Sequence, residues 1–369
     1  MISALVLAAA LALPADCDLE APSGRDGCTR AAVDALPMNA LQAVGTHNSY
    51  KLAIAPAEMA LLQATAPDTA RSLDYAHRPL AEQLAAGARQ LEIDVLNDPE
   101  PGRYADPAAR RIAAQTTPYD LAPLRAPGLK VMHVQDIDYR SVCPLFVQCL
   151  GEIAAWSKAH PDHAPLLILL NLKEGDALPI PGAVAPAPFD AAAMDAVDAE
   201  IRSVFAPERL ITPDDVQGEH PTLRAAAAAG AWPKLGEARG RVMFALDAPR
   251  NQVDLYRGGR SSLEGRVMFV NIEEDEPAAG YITLNDPEGE AERIAAAVAA
   301  GLIVRTRADA DTTEARTGET ARREAAFASG AHYVSTDYMV PDRRLGDYQV
   351  VLPGEGAARL NPKAASPAR

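Results

Sequence analysis

The chain of 369 residues is 48% hydrophobic and 23% charged, with 24 Gly and 30 Pro, which excludes disorder as its main state and leaves length for a sizeable core. Acidic residues outnumber basic ones 50 to 35, giving −15. That balance excludes nonspecific nucleic-acid binding, and an anionic membrane could be engaged only through a local positive pocket or a bound cation.

Residues 2–13 (ISALVLAAALAL) form an apolar run too short to span a membrane, and Pro14, Ala15 and Asp16 follow with small-residue cleavage character. Residues 1–15 therefore read as a signal peptide. No later stretch reaches the roughly 18 unbroken apolar residues of a span, so no transmembrane segment is expected after its removal. Four cysteines remain, and their short loops favour Cys17 with Cys28 and Cys143 with Cys149 among three pairings. Bridges suit an exported protein, and neither spacing matches a zinc knuckle. A secreted or periplasmic monomer is the expectation.

Short runs rich in Val, Ile and Leu then recur at 41–46, 89–95, 129–134, 166–172, 242–247, 267–271, 302–306 and 333–336. Helical stretches lie between them at 78–86, 146–160, 189–205, 288–300 and 314–329. Strands alternating with helices imply parallel pairing through crossovers, and eight of them predict a (β/α)8 TIM barrel, distorted, as a single domain over residues 16–350. An open doubly wound sheet is the alternative, but no GxGxxG or GxxxxGK[ST] follows any strand. The Pro- and Ala-rich stretch 177–188 reads as a surface loop, and residues 351–369 as a disordered tail.

In such a barrel the C-terminal ends of the strands face the active site. The first run ends in Gly45-Thr46-His47-Asn48-Ser49, and the second in Glu92-Ile93-Asp94, where alternation turns both carboxylates to one face. By the same alternation His133 and Gln135 share a face, and so do Asn171 and Lys173. The run 302–306 leads into Arg305, Arg307 and Asp309. Two carboxylates side by side repel unless a cation holds them, and the hard oxygens of Glu92, Asp94 and Asn48 suit Ca²⁺, with Mg²⁺ less favoured. Pairing of Glu92 or Asp94 with Arg305 or Lys173 is the competing account. Two histidines on opposite sides of a phosphodiester could serve attack and departure separately. His77, His160, His163, His220 and His332 receive no catalytic role. Ser49 follows His47 closely, but no GxSxG elbow exists, which sets a serine triad aside.

The segments GTHNSY (45–50), YAHRPLAEQLAAGARQLEIDV (75–95), KVMHVQDIDYRSVC (130–143) and RTRADADTTEARTGETARREAAFASGAHYVSTDY (305–338) resemble the secreted, calcium-dependent phosphoinositide-specific phospholipase C proteins of bacteria. The likeness spans Leu41 to Tyr338. It implies cleavage of phosphatidylinositol, a phospholipid at a membrane surface, to diacylglycerol and a cyclic inositol phosphate. It also implies that His47 stabilises the transition state and that His133 is the general acid for the leaving oxygen. Asn48, Glu92 and Asp94 match the calcium ligands, and one of the two carboxylates would act as base. The eukaryotic relatives add a glutamate ligand on the fourth strand, where this chain has Asn171 and Lys173 inward and Glu174 out of phase, so either Asn171 or Glu174 would complete the shell. Lys173 and Arg305 suit phosphate oxygens, as point charge and fork. Glycerophosphodiester phosphodiesterases share the fold and a His, ExD, His arrangement, but usually begin with HRG rather than His47-Asn48-Ser49. A non-catalytic secreted lipid- or sugar-binding barrel would be expected to lack one of these groups, and none is missing.

Overall fold

The structure, a computed structural model, describes residues 13–14, 16–114, 116–354 and 356–363. The signal-peptide reading falls almost wholly outside the described residues. Among those described, no helix is long and apolar enough to cross a membrane.

Among the described residues eleven strands form: β1 (Leu41–Thr46), β2 (Gln90–Leu96), β3 (Lys130–Val131), β4 (Leu166–Leu172), β5 (Leu210–Ile211), β6 (Val242–Leu246), β7 (Met268–Val270), β8 (Tyr281–Thr283), β9 (Ile303–Arg307), β10 (Tyr333–Thr336) and β11 (Ala358–Leu360). β1, β2, β4, β6 and β7 pair in parallel in that order, and β8, β9, β10 and β1 do the same on the other side. A single parallel bridge, Asn271 to Tyr281, joins β7 to β8 and closes the ring. Asn271 reinforces this seam, because its side-chain oxygen accepts the Thr283 N–H at 3.0 Å. The result is the expected distorted TIM barrel. β5 adds to the lower end of the β6 edge that β7 covers higher up.

The sequence reading of the strands needs two corrections. The run 129–134 is not a barrel strand: only Lys130–Val131 is extended, and it pairs antiparallel with the end of β2. The missing eighth stave is β8, a three-residue strand too short to show a period. The expected disordered tail is corrected over β11, which pairs antiparallel with β1, Leu360 opposite Leu41, while residues 364–369 of it lie outside the described residues. The helix expected over 314–329 is two, Thr313–Thr317 and Ala321–Ser329, broken where Gly318 adopts φ +76°. Both expected disulfides are present, Cys17–Cys28 and Cys143–Cys149.

The core is continuous from the N-terminal segment through the staves, with Leu167, Ile168, Leu169 and Phe244 among its fully buried members. β1 and β2 approach so closely that a Cβ on Gly45 would lie 2.6 Å from the Gln90 carbonyl oxygen, which requires glycine there. Above this point the ladder is replaced by Ser49, whose N–H donates to Glu92 O (2.9 Å) and whose Oγ accepts the Glu92 N–H (2.8 Å). Ser49 is thus a buried staple between the two strand ends that carry the polar cluster.

Candidate active site

Gly45 pairs with Gln90, so the residues that follow β1, His47 and Asn48, lie level with Glu92 and Asp94 of the longer β2, and the four meet at the barrel mouth. His47 Nε2 lies 3.8 Å from Glu92 Oε1. Its Nδ1 donates to Asp337, immediately after β10, at 3.0 Å. Arg307, ending β9, reaches both partners, at 3.5 Å from His47 Nε2 and 3.2 Å from Asp337 Oδ2. His77 adds a contact of 3.6 Å to Asp337. Burial and then Arg307 hold the His47 imidazole down to about 4, so it is neutral near pH 7. Burial alone would raise Asp337, but His47, His77 and Arg307 outweigh it and keep this carboxyl well below its usual range. Asp309 underpins it, accepting the Asp337 N–H at 2.9 Å. Burial and the adjacent Asp337 push Asp309 up to about 7.

His133 is built in the same way. Its Nδ1 donates to Asp138 Oδ2 at 2.8 Å, across a tight turn in which Asp136 takes φ +73°. The two imidazoles have side chains 17% and 18% exposed, over aspartates at 1% and 0%. Lys51 and Tyr75 connect the dyads: Lys51 Nζ lies 3.3 Å from Asp138 Oδ1 and donates to Tyr75 O at 2.8 Å, and the Tyr75 hydroxyl is 3.5 Å from His47 Nδ1.

The remaining predicted residues divide. Arg305 is almost wholly buried and its fork is committed, to Glu92 Oε2 and Asn285 Oδ1 at 2.5 Å each and to Ser335 Oγ at 3.0 Å. It clamps Glu92, and Arg307 is the guanidinium closer to the imidazole. Lys173 Nζ lies 2.8 Å from Asp94 Oδ2. Burial opposes its charge, but Asp94, Glu92 and Asp247 outweigh that and raise its pKa. Asn171 sits beside Asp94 in the sheet register. Glu174 is exposed and accepts the Phe189 N–H at 2.5 Å, which spends it on the following loop rather than on the cluster. Sequence reasoning missed Asp337, Asp138 and Tyr75, and collected Arg307 at its strand end without giving it a role. Asp337 was accessible to the strand-end rule; Asp138 carried no periodic signal.

The donor set fits a hard divalent cation. Both Asp94 oxygens are buried, and among the described residues no backbone N–H donates to them, their ion-pair partner being Lys173. Asn48 is held at φ +47° with its Nδ2 donating to Tyr75 at 2.7 Å, which reserves its amide oxygen. Among the described residues no group of three or more His, Cys, Asp or Glu is placed to hold a metal ion, so the donors on offer are two carboxylates and an amide.

Residues 36–362 match the family described as phosphoinositide phospholipase C, Ca²⁺-dependent. Among solved structures, the calcium-dependent phosphoinositol-specific phospholipase C of a Pseudomonas species is similar, at 16% identity and TM-score 0.52, covering 88% of this chain and 96% of that one. The Ca²⁺-dependent phosphatidylinositol-specific enzyme of Streptomyces antibioticus is similar at 17% identity and TM-score 0.52, covering 82% and 95%. No curated protein matches significantly. At these identities the structural likeness speaks to the fold.

Proposed function

Since the chain belongs to the calcium-dependent phosphoinositide phospholipase C family, a family of phosphodiesterases, we propose that it cleaves phosphatidylinositol at a membrane surface to diacylglycerol and a cyclic inositol phosphate. The observation that carries this reading is the pair of His–Asp dyads at one rim. An aspartate on Nδ1 fixes the tautomer and leaves Nε2 for the substrate.

His47, neutral and with Nδ1–H committed to Asp337, is suited to accept the proton of the attacking inositol hydroxyl at Nε2. This differs from the carboxylate base that the resemblance implies, because Glu92 Oε2 is held by Arg305 and Asp94 faces Lys173. The new P–O bond forms as the bond to the glycerol oxygen breaks, and protonated His133 gives its Nε2 proton to that oxygen. Asp337 and Asp138 act as positioning residues. Arg307 and Lys173 supply charge for the phosphate oxygens. Calcium, held by Asn48, Glu92 and Asp94, would offset the phosphate charge and acidify the attacking hydroxyl. Export to an oxidising compartment is supported by the two disulfides.

The test is release of headgroup from phosphatidylinositol and from a glycerophosphodiester, each with calcium and after chelation. Turnover of phosphatidylinositol that chelation abolishes and calcium restores is expected. Preference for the glycerophosphodiester would replace this reading with a hydrolytic phosphodiesterase.

A further inference from the structure

The two mouth carboxylates are each met by a cation, and the two cations are held very differently. Arg305 is fixed on three sides, by Glu92, Asn285 and Ser335, and is 1% exposed. Lys173 enters from the rim with a quarter of its side chain exposed, and touches an Asp94 side chain that is wholly buried. The pair is 2.8 Å apart, and the Tyr50 hydroxyl is a further neighbour of Asp94. No backbone N–H donates to Asp94 among the described residues, so its buried charge is offset by the ammonium of Lys173 rather than by a fixed peptide cradle. An ammonium on a four-carbon stem is also the more easily moved of the two cation types.

We infer that Lys173 is a placeholder for calcium at Asp94, and that its displacement couples calcium binding to phosphate binding. The inference rests on the ligand set proposed above and adds how that set is regulated. As the cluster stands, Glu92 with Arg305 and Asp94 with Lys173 are neutral pairs. A divalent cation arriving at Asp94 creates an excess of positive charge, and Lys173, released, has Glu92, already paired with Arg305, and Asp247 as its remaining carboxylate neighbours. One oxygen of Asp247 is occupied, since Oδ1 accepts the Asn271 amide at 2.8 Å. The excess charge is offset best by an anion, and a phosphodiester between calcium and Lys173 supplies it. Calcium and the phosphate ligand therefore bind with positive, reciprocal coupling. This also accounts for the lysine that immediately follows β4, two residues beyond Asn171: it replaces a fixed ligand by an exchangeable charge.

The experiment is calorimetric titration of the full chain with calcium alone, and again with inositol 1-phosphate present, for the native protein, Lys173→Met, Lys173→Gln and Asp94→Asn. Removing a competing charge in direct contact should tighten calcium binding about tenfold or more in both lysine variants. Inositol 1-phosphate should tighten calcium binding in the native protein and do so several-fold less in the lysine variants. Thermal melts identify folded variants, and Lys173→Gln is read if Lys173→Met does not fold. Unchanged or weaker calcium affinity in the lysine variants, with binding lost in Asp94→Asn, overturns the placeholder alone. Native calcium affinity in Asp94→Asn overturns the ligand assignment beneath it.

Discussion

The floor and the mouth of the barrel use the same residue types to opposite ends. At the floor, Arg89 forms a fork on Glu20 and also donates to Leu84 O and Ala88 O at 2.8 and 2.7 Å. His163 donates to Ala164 O at 2.6 Å and meets Ser157 Oγ at 2.7 Å. His332 lies between Asn39 O at 2.9 Å and the Val304 N–H at 3.0 Å. Each ring there has a partner on both nitrogens, all supplied by the protein. At the mouth, no backbone N–H donates to Asp94 among the described residues, its contact being the mobile ammonium of Lys173 at 2.8 Å, and Asn48 is held at φ +47°. A buried carboxylate that the backbone leaves without donors costs stability, and at the mouth substrate and cation are the partners that can complete it.

If the mouth works through its dyads, breaking one should cost the most. Asp337→Asn should lower kcat about 1000-fold with little change in KM, because the tautomer and aim of His47 are lost. The loss should be equal for alkoxide and nitrophenyl leaving groups. Next, His133→Ala should cost roughly 100-fold or more on phosphatidylinositol and about tenfold or less on a nitrophenyl ester, whose phenolate departs without a proton. Steady-state kinetics on the two substrates read both, and equal losses in His133→Ala would remove its role as acid.

The floor makes a prediction about stability. Burial pushes His163 and His332 down to about 4 each, whereas in the unfolded chain both titrate near 6.5. The unfolded state binds more protons below that value, so stability is lost as pH falls from about 6.5 towards 4, on the order of 3 kcal/mol for each ring. Urea unfolding at several pH values measures this, and His332→Gln should flatten part of the slope. Smallest, removal of the Cys143–Cys149 bridge should cost roughly 2 kcal/mol, since its loop is short, and the same denaturation measurement at neutral pH shows it.

The comparison also shows what the sequence could disclose. β1, β4 and β10 begin and end where their apolar runs do. β8, three residues between loops, had no run to show, and the apolar stretch around Val131 imitated a stave that the chain does not form. Those two errors offset, which is why eight staves were still expected. In the site, Glu92 and Asp94 were legible from alternation, and His47 and Asn48 from their place after β1. Asp138 was not, because it reaches His133 through a turn that depends on Asp136 at positive φ. The separate fates of Arg305 and Arg307 depend on tertiary partners, Asn285 and Ser335 for one and Asp337 for the other, which no spacing along a strand reveals.

The central claim is that the two dyads serve attack by a hydroxyl of the substrate itself, with that nucleophile already in place. Time-resolved phosphorus NMR of phosphatidylinositol turnover in the presence of calcium tests it most directly. A cyclic phosphate resonance that rises first, with any monoester appearing only as it decays, is the predicted result; a monoester that forms from the start with no cyclic species before it would contradict the account.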